Sequence, residues 1–191
     1  MTEIYLVRHG QTEANKNYIV QGRMDNPLNE IGMKEAYQTG LFFKDNNLCF
    51  DNIISSPLKR AYKTAVQINH GMKSAKPIII DKDLIERNFG NYDGKKISDE
   101  YYDLIHRGEV ENMEKNEVLE ERALSTMKKI ANKYPGKRIL VVTHSHFIKG
   151  FLINLLEDFT YMTYLKNCSI NKIVYEENKF NIVSFNLDPL N

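Results

Sequence analysis

The chain has 191 residues, of which 42% are hydrophobic and 27% are charged, and these fractions are ordinary for a soluble globular protein. A chain of this length can bury one sizeable core, so we expect a single domain over residues 1–191. The formal net charge of +1 gives no reason to expect a nucleic-acid partner, and no segment approaches the roughly 18 apolar residues of a membrane span.

Three short apolar runs predict buried β-strands. They lie within residues 4–7, 51–55 and 139–143, and the apolar residues of each run are consecutive instead of alternating with polar ones. This pattern is typical of strands that are covered on both faces in a parallel sheet.

Helices are predicted between these strands. One covers residues 30–44, one begins after Pro57, a residue that suits the first position of a helix, and one covers residues 118–133. Alternating strands and helices indicate an α/β fold, which we predict to be a three-layer α/β/α sandwich with a mainly parallel sheet.

The last part of the chain predicts an antiparallel hairpin that completes the sheet. Its strands cover residues 169–175 and 180–185, on either side of a polar segment at 176–179. A region further upstream, at about residues 91–117, is charged and weakly periodic. We interpret that region as an excursion over one end of the sheet, where it could cover a substrate.

The termini and the cysteines indicate a cytoplasmic protein. The first ten residues carry an acidic residue before a short apolar run, which is not the pattern of an export signal. Cys49 and Cys168 are isolated and lack metal-type spacing. We therefore expect neither a metal site nor a disulfide from them.

Chemically active residues follow the predicted strands. The first strand leads into Arg8 and His9, the third leads into His144, and the second leads to Arg60 in the first turn of a helix. Ligands of parallel α/β sheets bind beyond the carboxyl ends of the strands. We therefore expect these side chains to meet in one pocket.

Such a group of residues is suited to phosphoryl transfer. Guanidinium groups match phosphate oxygens, and a neutral imidazole can attack phosphorus. A second histidine can stabilise the charge on the equatorial oxygens. A carboxyl group beside the site can protonate the leaving oxygen and then activate water. Glu86, at the end of another apolar run, is the best candidate for that group.

Each of these residues also has an ordinary structural explanation. A histidine at a strand end can bond to backbone, Arg60 can form a surface ion pair, and Glu86 can pair with Arg87 or a lysine. The shared placement at strand ends favours the functional explanation for the set. For His146, a structural role as the partner of a backbone carbonyl or as a residue at the rim competes with a role in substrate specificity.

The same residues resemble the histidine phosphatase (phosphoglycerate mutase-like) superfamily, in its phosphatase branch. The resemblance rests on five motifs in the expected order, which together cover most of the chain. They are Leu6-Val7-Arg8-His9-Gly10-Gln11-Thr12-Glu13 with Asn15; Gln21-Gly22-Arg23 with Asp25, Pro27-Leu28-Asn29, Gly32 and Ala36; Ser55-Ser56-Pro57-Leu58-Lys59-Arg60-Ala61 with Thr64-Ala65; Glu86 with Phe89-Gly90 and Asp93-Gly94; and Val141-Val142-Thr143-His144.

The resemblance implies a role for each residue. His9 is the expected nucleophile, Glu86 the proton donor and His144 a second catalytic histidine. The expected phosphate-binding residues are Arg8, Asn15, Gln21, Gly22, Arg60 and Ser145. The family implies no metal and no organic cofactor, and its substrates are small phosphorylated metabolites. Relatives often carry Gly-Gly or Gly-X after the second histidine, whereas this chain has Ser145-His146.

The choice between phosphatase and mutase depends on weaker signals. The glycolytic mutases of the family are longer and carry further basic residues for a carboxylate. The segment from Glu86 to Gly94 is closer to the phosphatase branch, so we expect a phosphatase. Mutase-type transfer is the alternative.

Two other classes of function compete with this prediction. His144-Ser145-His146 could contribute two ligands to a catalytic zinc, although two arginines in the same pocket would repel a cation. A catalytically silent protein could bind a phosphorylated ligand, but binding alone needs neither a nucleophile nor a proton donor. The natural substrate and the oligomeric state are left open by the sequence.

Overall fold

The computed structural model describes residues 1–190, with all side chains except that of His106. Its centre is a six-stranded sheet in the order β3-β2-β4-β1-β5-β6. β1, β2, β3 and β4 pair in parallel, and β5 and β6 are antiparallel additions at one edge. The strands are β1 (Thr2–Arg8), β2 (Asn52–Ser55), β3 (Ile78–Ile80), β4 (Arg138–Thr143), β5 (Ile170–Glu176) and β6 (Lys179–Leu187).

Residues 1–190 form six α-helices beside the sheet. They are α1 (Glu13–Lys16), α2 (Glu30–Asp45), α3 (Lys59–Gly71), α4 (Asp99–Arg107), α5 (Asn116–Lys133) and α6 (Ser145–Ile153). Asn29 caps α2 by accepting from the Gly32 N–H, and α4 begins after the Ser98 cap and ends at Gly108 with φ 69°. An αL glycine at this position closes a helix without side-chain strain.

Both faces of the central strands are buried, which explains their consecutive apolar residues. Ile4 and Leu6 of β1 pack with α5 and α6 on one face. Tyr5 and Val7 pack with α2 and α3 on the other face. Because successive strand residues point to opposite faces, both sets must be apolar. The predicted three-layer α/β/α sandwich is thereby confirmed.

The predicted elements agree with the structure to within two residues at each end. The helix after Pro57 begins two residues later, at Lys59, because Leu58 still has extended backbone at φ −69° and ψ 137°. The short elements α1 and β3 and the longer helices α4 and α6 were not predicted. α4 lies in the charged excursion, and α6 is so extensively buried that it lacks a polar stripe.

The C-terminal hairpin is confirmed, with β5 shifted by one residue and β6 longer than predicted. β5 and β6 are joined through Glu177 and Asn178, which have positive φ angles of 51° and 62°. Two consecutive residues of this kind form the turn that matches the twist of a hairpin.

The cysteines and the helix lengths bear on two further expectations. Cys49 is exposed, Cys168 is buried, and both thiols are free. Among residues 1–190, no helix is both long enough and apolar enough to cross a lipid bilayer.

Candidate active site

The strand register brings the two predicted catalytic histidines together. β1 and β4 are parallel neighbours in which Arg8 pairs with Thr143, so His9 and His144 follow at the same sheet edge. Their ring centroids are 5.3 Å apart. The two histidines, which follow strands far apart in the chain, thus form one cluster.

Arg60 joins this cluster from the first turn of α3. Its side chain is fully buried. Nη1 donates to the Met24 carbonyl and Nη2 to the Gly22 carbonyl, each at 2.7 Å, while Nε donates to His9 Nε2 at 3.3 Å. Burial lowers the pKa of Arg60 to about 10, which leaves the guanidinium charged at neutral pH.

The hydrogen bonds of His9 define its tautomer. Nδ1 lies 2.7 Å from the Gly10 carbonyl, which can only accept, so Nδ1 carries the proton. Nε2 accepts from Arg60 and therefore carries a lone pair. Burial, with the charges of Arg60 and Arg8, lowers the pKa of His9 well below its usual value. His9 is a neutral imidazole with an unprotonated Nε2.

His144 is held by a residue whose role the sequence did not predict. Its Nε2 lies 2.7 Å from the Ser56 hydroxyl, which itself accepts from the Leu58 N–H at 3.3 Å. The serine proton is thus free to be donated to Nε2, and in that tautomer His144 Nδ1 carries a proton. Within the described part of the chain, Nδ1 is buried without a hydrogen-bond partner.

The electrostatic environment also favours a neutral His144. Its pKa is lowered well below the usual value, first by burial and then by the charges of the nearby Arg60 and Arg8. A neutral ring can donate one hydrogen bond and accept one.

Glu86 lies at the N-terminus of α6, whose first residues are about 60 positions further along the chain. Its Oε1 accepts from the N–H groups of Arg87 at 2.8 Å and Phe147 at 3.0 Å, and Oε2 accepts from the N–H of His146 at 3.1 Å. Helix N-termini are favourable positions for a carboxylate. The carboxyl group of Glu86 is therefore held by backbone N–H groups, and not by the side chain of Arg87 or of a lysine as its structural explanation proposed.

Arg8 is buried at the end of β1. Nη1 donates to the Leu165 carbonyl, and Nε has no partner among the described residues. An unpaired buried donor beside an open cavity is available for an anionic ligand.

A cavity of about 150 Å³ opens over this cluster. Its polar wall includes Arg8, His9, Glu86 and Lys149, and Arg60 and His144 are fully buried beside His9. An apolar wall comes from the 91–117 excursion, which contributes Ile97, Tyr101, Tyr102 and Ile105. The excursion therefore lines one side of the cavity, although its α4 was not expected.

Comparison with known proteins identifies the family of the chain. A sequence model described as the histidine phosphatase superfamily (branch 1) matches residues 4–188. The chain belongs to this superfamily. It is 34% identical to a Bacillus subtilis protein named "Uncharacterized phosphatase PhoE", over 98% of this chain and 96% of the relative.

Solved structures of this superfamily share the fold. A mutant phosphoserine phosphatase from Entamoeba histolytica, in complex with phosphoserine, has a TM-score of 0.86 at 27% identity and covers 100% of both chains. A phosphoglycerate mutase from Bacillus anthracis has a TM-score of 0.84 at 28% identity, over 97% of this chain and 92% of its own. Both members of the phosphatase–mutase alternative are thus represented among similar structures.

The remaining residues predicted to bind phosphate lie at or beside the cavity. Asn15, Gln21 and Ser145 line it. The Asn15 amide oxygen accepts from the Thr12 N–H at 3.1 Å, and Gln21 Nε2 donates to the Thr12 hydroxyl at 2.7 Å. The Gly22 N–H donates to Asp93 at 2.7 Å, so it is already used.

His146 lines the same cavity as His9 and lies among aromatic rings. Its ring stacks on Tyr161 at 5.2 Å and meets the edge of Phe89 at 4.8 Å, and burial lowers its pKa well below the usual value. No group of three or more His, Cys, Asp or Glu side chains among the described residues is placed to hold a metal ion. The hypothesis of a zinc site at His144-Ser145-His146 therefore lacks a third ligand there.

Proposed function

We propose that the protein is a phosphatase that hydrolyses small phosphate monoesters through a phosphohistidine intermediate on His9. The observation that carries the proposal is the state of His9, whose Nδ1 donates to Gly10 while Nε2 keeps its lone pair beside Arg60. A nucleophile in contact with a cation can approach an anionic phosphoryl group without strong repulsion.

In the first step, His9 Nε2 attacks phosphorus and the bond from phosphorus to the ester oxygen breaks. A phosphate oxygen replaces Nε2 as the acceptor of the Arg60 Nε–H. The unpartnered His144 Nδ1 and Arg8 Nε supply further donors to the phosphoryl oxygens. Protonated Glu86 gives its proton to the leaving alkoxide, which departs as the alcohol.

In the second step, the Glu86 carboxylate accepts a proton from water as the water oxygen attacks phosphorus. The P–N bond breaks, inorganic phosphate is released and neutral His9 is restored. Glu86 has a fixed position because three N–H groups hold its two oxygens. The same carboxyl group can thus act as acid and then as base.

The other phosphate-binding roles are kept as proposals. Asn15 uses its amide oxygen within the α1 cap, so its Nδ2 is suited to donate to phosphate. Ser145 lines the cavity at the start of α6. Gln21 and Gly22 would have to release Thr12 and Asp93 before they could bind the ligand.

The substrate class follows from the cavity and the relatives. A cavity of about 150 Å³ is smaller than the roughly 300–1,000 Å³ typical of drug-sized ligands, which favours a small metabolite. The similar Entamoeba histolytica enzyme binds phosphoserine. A metal-independent reaction in the cytoplasm stays our prediction.

The test is a screen of phosphorylated metabolites for phosphate release, with wild-type protein and the His9→Ala variant in parallel. We expect release by the wild type, also in the presence of a strong chelator, and none by the variant. Loss of activity with the chelator would favour the metal-dependent alternative. Binding of metabolites without any release would favour the non-catalytic one.

A further inference from the structure

Lys149 is a cation of the cavity that the catalytic steps above do not use. It lies on α6, one turn after His146, and its side chain lines the same cavity as Arg8, His9 and Glu86. Only 8% of the residue is exposed. Lysine is almost never buried to this extent unless its charge is paired.

The charge of Lys149 has no such pair in this structure. Nζ donates to the Tyr161 carbonyl at 2.7 Å, which uses one of its three N–H donors. Within residues 1–190, no carboxylate lies within the 4.0 Å of a salt bridge to Nζ. A buried cation with free donors is unfavourable until an anion joins it.

The surroundings of Lys149 are those of an anion subsite. Burial, then the charge of Arg8, lowers the pKa of Lys149 to about 8, while Glu86 acts in the opposite direction. The neutral ring of His146 also belongs to this wall. Lys149 is still mostly protonated at neutral pH, and an anion beside it would stabilise that state.

We propose that Lys149 binds a carboxylate on the alcohol part of the substrate, so that the protein prefers phosphate esters of small hydroxy acids. The inference rests on the proposed function, which assigns the phosphoryl group to His9 and its neighbours. A single ammonium group in a cavity of about 150 Å³ suits one small carboxylate. Lys149 is thus a specificity residue, separate from the residues that cleave the ester.

The test compares two substrates that differ in one group. D-3-Phosphoglycerate carries a carboxylate where sn-glycerol 1-phosphate, which has the same configuration at C2, carries a hydroxymethyl group. Phosphate release from both is measured for the wild type, for Lys149→Met and for Lys149→Arg. The matched control is Lys128→Met, because Lys128 is exposed on α5. p-Nitrophenyl phosphate reports on the chemical step in each protein.

We expect the wild type to prefer 3-phosphoglycerate in kcat/KM. Lys149→Met should reduce the ratio of the two kcat/KM values by about 10- to 100-fold, chiefly through KM, since a hydrogen bond between charged groups is lost. Lys149→Arg should retain most of the preference, and Lys128→Met should retain all of it. If Lys149 had a purely structural role, through its bond to the Tyr161 carbonyl, the substitution would lower kcat/KM equally for both substrates.

The outcomes separate the two proposals. If p-nitrophenyl phosphate is hydrolysed but the wild type shows no preference for the carboxylate, the role of Lys149 is refuted and the proposed function stands. Equal losses on both substrates in Lys149→Met would refute it too. If the wild type releases phosphate from none of the three esters, the proposed function fails first. Should Lys149→Met not fold, the wild-type preference and Lys149→Arg still decide.

Discussion

Removing the Ser56 hydroxyl tests how His144 is oriented. The hydroxyl lies 2.7 Å from His144 Nε2, and both residues are fully buried. If Ser56 donates this bond, it keeps the proton of His144 on Nδ1, where it can meet a phosphate oxygen. In Ser56→Ala the ring can adopt the other tautomer, which presents a lone pair to the anion.

The size of the effect follows from the hydrogen bond. A net contribution of about 0.5–1.5 kcal/mol, if carried fully into the transition state, corresponds to a loss of about 2- to 13-fold in kcat/KM. The assay is hydrolysis of p-nitrophenyl phosphate, combined with chemical unfolding to measure stability. Ser55→Ala is the matched control, since its buried hydroxyl donates to the Ser56 carbonyl at 2.9 Å and not to His144.

A double-mutant cycle completes the test. Because Ser56 acts through His144, Ser56→Ala should have almost no further effect in a His144→Ala background. Ser55→Ala should lose stability while keeping its rate within about twofold, as a hydroxyl outside the site should. Additive losses in the double mutant, or an equal rate loss in Ser55→Ala, would refute the orientation of His144 by Ser56.

Three further predictions concern the acid, the histidines and the reaction type. Glu86→Gln should slow the hydrolysis of alkyl phosphates by about 10²–10⁴-fold, because their leaving group needs a proton. The hydrolysis of esters with good leaving groups should slow far less, and equal losses of rate for both substrate types would indicate a structural role. The lowered pKa values of His9, His144 and His146 mean that the unfolded chain takes up protons that the folded one refuses. Stability should therefore fall by about 1 kcal/mol per histidine from pH 7 to 5.5, and urea unfolding of His146→Phe should show a smaller decrease. 3-Phosphoglycerate should release phosphate without a bisphosphorylated primer, and faster isomerisation than release would favour the mutase.

The parts of the site that could be predicted depend on buried parallel strands. Consecutive apolar residues identified β1, β2 and β4, and the residues that follow them had to share one sheet edge. His9, Arg60 and His144 were assigned in this way. Glu86 was assigned from its apolar neighbourhood, but its partners were not, because the N–H groups of α6 come from residues about 60 positions away.

Ser56 and Lys149 show what the sequence could not supply. The contact of Ser56 with His144 depends on the register of β2 against β4, in which Ser55 pairs with Val142. Without the assignment of α6, nothing in the sequence distinguishes Lys149 from a lysine on the protein surface. A helix starting at residue 145 would have placed it one turn from His146, on the same side.

The most direct test of the account is to trap the phosphorylated protein. Brief incubation with a reactive phosphate ester, followed by a rapid base quench, should leave phosphate on His9, in a linkage that is stable to base and labile to acid. His144→Ala should slow this labelling without moving it, and His9→Ala should abolish it. Phosphate mapped to His144 or His146, or a wild-type rate in His9→Ala, would contradict the central claim.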